Sequence, residues 1–317
     1  MENQSLMPGL TDRVNDFQWL QIAAAGDVTV ATLKRQDDGW VVEEAGGYPA
    51  DWPRLKKLLS DLSQAEIIEA KTSNPDYYAR LGVEDIAPES AAGTLVRFAA
   101  DTGLPALIAG NTAQGRTGQY VRLVDSAGSA LIDRELDLAA DLNGWLDRSI
   151  IDIPDAEVVE VSIRHADGEV VKISRLSTDN EHFQLQDVPE GREIQSEWTV
   201  DAPANALASQ TLDAVAADTT VDWSDSVRVS LLTAGGLLIE SELLETGGDE
   251  DAADARYWMR LEAVLYKTAV EPNPKSSEPA AATKERAGVI NARTAVWAYQ
   301  IPKYKYDAMV KRMEDFL

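Results

Sequence analysis

One order of elements occurs twice along the 317 residues of this chain: a hairpin, a helix, three or four strands and a short closing helix. In the first half, Val28-Thr29-Val30-Ala31-Thr32-Leu33 reads as a strand, Asp37-Asp38-Gly39 as a turn and Trp40-Val41-Val42 as the return strand. Asp-Gly between β-branched runs is a strong hairpin signal. Asp51 then caps a helix with Pro53 in its first turn, and Leu55, Leu58, Leu59 and Leu62 recur at helical spacing. Strand-like runs follow at 94–98, 106–109 and 120–124, with Leu131-Ile132 as a last short strand and a closing helix through Leu138, Leu142, Trp145 and Leu146.

The pattern restarts around Ile153-Pro154-Asp155. Residues 158–163 and 170–173 flank an Asp167-Gly168 turn, and a helix is expected over 205–215 with Leu207, Leu212 and Val215 on its apolar face. Strands are expected at 227–232, 237–239, 257–261 and 297–301, and a terminal helix carries Tyr306, Met309, Val310 and Met313. Self-similarity at a period of half the chain predicts an α+β fold, a tandem repeat of two similar domains, each a mainly antiparallel sheet packed by helices.

Residues 1–13 form an irregular lead-in, 14–153 the first repeat and 154–317 the second, with the boundary near Asp152–Asp155. The second repeat carries insertions at 246–254 and 271–286. The first contains the acidic run Gly247-Gly248-Asp249-Glu250-Asp251. The second is rich in Pro, Ser and Ala over 271–284 and is expected to be a mobile surface excursion. It splits what is a tight connection, 125–129, in the first repeat.

Charge limits the partners. With 29 Lys and Arg against 54 Asp and Glu, the net charge is −25, a field that repels nucleic-acid backbones and anionic lipid headgroups. No cysteine is present, which excludes disulfides, thiolate metal sites and cysteine nucleophiles. No run reaches the ~18 apolar residues of a membrane span.

Several patterns invite a chemical reading. Gly110-Asn111-Thr112-Ala113-Gln114-Gly115-Arg116-Thr117 nearly matches a phosphate-binding loop, with Arg116 in place of the lysine. Such a loop must lead into a helix N-terminus, and this one leads into the strand at Tyr120, so a hairpin loop is expected. The acidic run at 247–251 lacks the sixth-position glycine of a calcium loop. His165, beside a hairpin turn, and His182, in a polar stretch, read as surface histidines. No G-x-S-x-G elbow occurs, and spacing singles out no carboxylate pair. Catalytic, cofactor and metal residues are therefore expected to be none. Of the eight tryptophans, Trp40 and Trp258 alternate within strands as core residues do, whereas Trp52 at a helix start and the nearby Tyr48 are candidate contacts for a partner or ligand.

Met7-Pro8-Gly9-Leu10 with Val14-Asn15, Trp40-Val41-Val42 before Tyr48-Pro49-Ala50-Asp51, Tyr78 with Leu81-Gly82, Tyr120-Val121-Arg122 and Trp145-Leu146-Asp147 together resemble the DUF4340 family. The resemblance implies an ectodomain on the extracytoplasmic, periplasmic side of the bacterial inner membrane, held by an N-terminal helix absent from these residues. It implies partnership with an ABC-type permease and a gliding-motility-like auxiliary subunit, and no catalytic residue. The expected role is thus a non-enzymatic accessory subunit of an ABC-type transport system that acts by binding. A periplasmic ligand- or carbohydrate-binding protein using a cleft between repeats is the alternative, and an unrecognised hydrolase a third reading.

Overall fold

A computed structural model describes residues 4–13, 16–37, 39–175, 181–247, 254–266 and 280–317. The chain divides into two compact units, Met1–Asp147 and Arg148–Leu317, each built from an antiparallel sheet and helices. The fold is α+β.

Among the described residues, the first unit contains ten strands: β1 (Gln4–Ser5), β2 (Trp19–Ala24), β3 (Val28–Gln36), β4 (Gly39–Val42), β5 (Tyr48–Pro49), β6 (Glu66–Ala70), β7 (Thr94–Phe98), β8 (Leu107–Thr112), β9 (Gln119–Leu123) and β10 (Ser129–Ile132). They form one sheet in the order β1-β6-β10-β9-β8-β7-β2-β3-β4-β5. Among the described residues, three α-helices accompany it, α1 (Leu10–Arg13), α2 (Trp52–Gln64) and α3 (Tyr78–Leu81). The α2 helix forms as its sequence dictates. The Asp51 side chain accepts from the Arg54 N–H at 3.0 Å, Pro53 sits in the first turn, and Leu55, Leu58, Leu59 and Leu62 are the buried stripe. Burying each such leucine is worth about 1.5–3 kcal/mol.

The lead-in is part of this unit. β1 pairs with β6, the Leu6 N–H donates to the Ala65 carbonyl at 2.8 Å, and Leu6, Met7 and Leu10 are buried. At the other side α3 lies so close to the sheet that a side-chain carbon on Gly110 would fall 2.3 Å from the Leu81 carbonyl oxygen. Buried Arg122 on β9 pins this segment: its Nε donates to the Val83 carbonyl at 2.7 Å, its guanidinium stacks on Tyr78, and it pairs with Asp85.

The second unit contains β11 (Ser149–Ile151), β12 (Val158–Arg164), β13 (Val170–Ser174), β14 (Gln184–Leu185), β15 (Gln210–Thr211), β16 (Ala214–Ala217), β17 (Val227–Thr233), β18 (Leu237–Thr246), β19 (Arg256–Leu265) and β20 (Trp297–Gln300). Its helices are α4 (Glu197–Asp201), α5 (Ala280–Thr294) and α6 (Lys303–Met309). The main sheet runs β14-β13-β12-β17-β18-β19-β20-β16, and β11 pairs with β15. Eight neighbouring strands of the first sheet, β4-β3-β2-β7-β8-β9-β10-β6, follow the chain in the same order as these eight.

Four expectations are corrected. Residues 205–215 are not a helix: α4 ends at Asp201, before Pro203, and turns carry the chain to β15 with Ser209 at φ 46°. Lys305 Nζ on α6 takes up the Ala206 and Ala208 carbonyls at 2.9 and 2.7 Å, so these groups are satisfied without a helical ladder. Leu207 and Leu212 are buried all the same. The closing helix of the first unit is only a 3-10 turn, Leu142–Trp145, with Trp145 fully buried. The terminal helix stops at Met309 and is followed by a 3-10 turn, Met313–Phe316. In the segment 271–284, expected to be a mobile or surface excursion, residues 280–284 belong to α5, and Thr283 is fully buried with its hydroxyl donating to the Gly235 carbonyl. The rest of that segment and the acidic run at 248–253 lie outside the described residues.

Candidate binding surfaces

Trp52, the first residue of α2, is 49% exposed, whereas Tyr48 on β5 is fully buried. Tyr48 is therefore a core residue and not a surface contact. Pro49 pairs with Val41 and Tyr48 with Val42, and this pairing carries Tyr48 inward from the sheet edge. Trp40 on β4 is half-buried and, with Trp52, Arg35, Lys56 and the hydroxyls of Thr11 and Ser60, lines a groove of about 320 Å³. That volume is at the small end of ligand pockets. Trp258, also expected in the core, is half-buried, and its indole N–H donates to the Thr246 hydroxyl at 3.1 Å.

The stretch 110–117 is the end of β8 and the hairpin connection that leads to β9, closed by the Ala113 N–H on the Gly118 carbonyl at 2.8 Å. Arg116 pairs with Glu69 at 2.6 Å. Lys71 and Arg116, both hydrogen-bonded to Glu69, hold that carboxyl below its ordinary value. Gly110 is required here by the approach of Leu81 and Gly82, not by a phosphate.

Neither histidine is the open surface residue expected. His165 is 5% exposed, with Nε2 3.3 Å from the Lys311 carbonyl. The hairpin turn beside it holds the C-terminal segment: Asp167 and Glu169 both pair with Arg312, and Glu169 accepts from the Met313 N–H at 2.8 Å. His182 is partly covered. Its Nδ1 lies 2.7 Å from Asp201 and its Nε2 3.3 Å from Glu197. The Asp201 hydrogen bond, reinforced by the Glu197 charge, raises the His182 pKa above its ordinary value. A His–Asp pair orients a general base, but here the second ring nitrogen faces the Glu197 carboxylate. Trp198 meets the ring edge-on at 5.7 Å and is 78% exposed.

The outer face of the second sheet carries polar residues in register. One cross-strand row is Arg164, Arg228, Glu242 and Arg260; the next is Lys172, Ser162, Ser230, Glu240 and Glu262. Arg260 is saturated, bonded to Glu242 at 2.9 Å and Asp218 at 3.2 Å and stacked on Trp223. Part of this face lines a groove of about 870 Å³ walled on one side by Asn291 of α5 and Trp297 of β20. The alternation Arg228-x-Ser230, Glu240-x-Glu242 and Arg260-x-Glu262 is visible in the sequence, but only strand register brings these residues into rows. Among the described residues, no group of three or more His, Asp or Glu side chains is placed to hold a metal ion.

A sequence model of the family described as "Domain of unknown function (DUF4340)" matches residues 40–229, more than half of the chain. The chain belongs to the DUF4340 family. No curated protein and no solved structure matches it. The DUF4340 match takes in Trp40 and Trp52 of the first groove, and Arg164 and Arg228 of the polar face. Glu242 and Arg260 lie beyond it.

Proposed function

We propose that this DUF4340 chain works by binding rather than by catalysis, as an extracytoplasmic accessory subunit of an ABC-type transport system. The contact assigned to the permease or its auxiliary subunit is the Trp40–Trp52 groove. One observation carries this reading: a large aromatic side chain, 49% exposed at a helix start, beside a second indole and the cationic side chains of Arg35 and Lys56. Exposed aromatics flanked by basic groups are the usual anchors of protein interfaces. In a chain of net charge −25, such a patch selects an acidic or neutral partner surface. Placement at the outer face of a bacterial inner membrane is part of the same proposal and comes from the family resemblance.

The two units are proposed to be copies of one ancestral domain. The shared order of eight strands supports this, as does the position of α5, which enters between β19 and β20 where β9 and β10 are joined directly.

The test is site-specific photocrosslinking at position 52 in the protein produced in its native cells. Crosslinks to an ABC-type permease or its auxiliary subunit, lost on Trp40→Ala, are expected. Crosslinks to neither subunit, with the protein folded and in place, would refute the assignment.

A further inference from the structure

On the outer face of the second sheet, like charges stand opposite one another. Arg164 on β12 pairs across strands with Arg228 on β17; Ser162 and Ser230 are the adjacent pair on that face, and Lys172 on β13 faces Ser162. Two strands further on, Glu240 pairs with Glu262. Like charges directly opposite destabilise a sheet, typically by several tenths of a kcal/mol. Most cations in this chain are compensated, as Arg260 is. Arg164 and Lys172, by contrast, have no side-chain ion pair or hydrogen bond among the described residues. Arg228 reaches Glu242 only at 3.8 Å and is 69% exposed. The result is a cluster of three cations around two hydroxyls, in a chain whose overall field is negative.

We propose that this face is a binding site for an anionic saccharide, a sugar carrying a phosphate or carboxylate group. Arg164, Arg228 and Lys172 hold the anionic group, with the Ser162 and Ser230 hydroxyls donating to its oxygens. Guanidinium groups suit this because their paired N–H groups match the oxygens of phosphate or carboxylate. Glu240 and Glu262 accept from sugar hydroxyls. Glu240 lies one strand spacing from Ser230 and Glu262 two, about 5 and 10 Å, distances that the body of a mono- or disaccharide spans. The groove of about 870 Å³, with Trp297 in its wall, has room for such a body. A bound anion relieves the Arg164–Arg228 repulsion, which supplies a driving force an uncharged sugar lacks. The site lies wholly on the second unit and does not depend on the Trp52 contact.

The experiment is calorimetric titration of the 317-residue chain with glucose 6-phosphate, glucuronate, glucose and inorganic phosphate in turn. Saturable binding is expected for the two anionic sugars, weakening as salt is raised. Weaker binding is expected for phosphate, and none for glucose at the same concentration. Replacing both Arg164→Gln and Arg228→Gln is expected to weaken anionic-sugar binding about tenfold or more. Lys172→Gln, at a separate strand, gives a second reading should the double variant lose its fold. Arg192→Gln, which touches only the Glu314 pair, serves as the unaffected control. No binding of either anionic sugar at millimolar concentration would overturn the proposal, as would unchanged affinity in folded Arg164/Arg228 and Lys172 variants. Equal affinity for phosphate and glucose 6-phosphate would overturn the saccharide assignment.

Discussion

Asn291 on α5 does for Ala263 what a neighbouring strand would do. Its carboxamide oxygen accepts from the Ala263 N–H at 2.7 Å and its amide nitrogen donates to the Ala263 carbonyl at 2.7 Å. β20 pairs with β19 only at Trp258 and Met259, so beyond them a helix side chain covers part of the strand edge. Asn291→Leu is expected to cost about 1–3 kcal/mol by leaving that amide and carbonyl unpaired. It should also open an edge to self-association. Thermal unfolding and light scattering would check both; an unchanged melting temperature and a monodisperse sample would contradict the reading.

Gly110→Ala should destabilise the first unit by about 1–3 kcal/mol, because the added carbon cannot coexist with the Leu81 and Gly82 carbonyls unless backbone moves. Gly115→Ala, in the turn after β8, has open space around the added carbon but a positive φ of 76°, so its cost is confined to backbone strain, about 1 kcal/mol. Denaturant melts of the two variants would separate close packing from loop conformation. Equal losses would contradict the distinction.

The near-match to a phosphate-binding loop predicts a negative result with nucleotides. Arg116 is engaged by Glu69, and the segment turns between strands instead of opening a helix. Titration with MgATP should show no saturable binding at this loop, and Arg116→Ala should leave any weak signal unchanged. Binding abolished by that substitution would reverse the conclusion.

His182 is held in its protonated form by Asp201 and Glu197, so its folded pKa lies above the unfolded value of about 6.5. Its contribution to stability is therefore fully present below about pH 6.5 and is lost as pH rises through the higher folded value. NMR titration of the ring protons should give a midpoint above about 6.5. Melting temperatures of the wild type and His182→Gln should converge on the alkaline side. A midpoint at or below the ordinary value would sink the idea.

Asp167 and Glu169 titrate in the opposite sense. The Glu169 N–H and Arg312 depress Asp167; the Met313 N–H and Arg312 depress Glu169. Their contribution is present above the unfolded carboxyl values of about 4 and is lost as pH falls through the lower folded ones. The protection factor of the Met313 amide, taken against the intrinsic exchange rate at each pH, should fall on acidification, and Glu169→Gln should lower it already at neutral pH. Protection unchanged in that variant would show that the clamp lies elsewhere.

Elements governed by local chemistry were readable from the chain alone. The Asp51 cap and leucine stripe make α2, Asp167-Gly168 makes its turn, and Trp52 stands at the surface. What escaped depends on partners distant in sequence. Leu207 and Leu212 have helical spacing, yet Pro203 and the Lys305 ammonium, about a hundred residues away, decide that the segment turns. His165 looks like a loop residue until the Lys311 carbonyl covers it. The rows on the outer face of the second sheet exist only once five strands are in register, because a shift of one residue would send Arg164 and Arg228 to the core.

The pairing of β1 with β6 has a mechanical consequence. Tension applied at Gln4 would load the β1–β6 hydrogen bonds before reaching the buried Leu6, Met7 and Leu10 that follow in the chain. Thr11, the next residue, lies in the wall of the Trp40–Trp52 groove. A pull strong enough to draw Leu10 from its seat would therefore deform the groove at once, so the proposed docking face and the start of the chain would yield to force together.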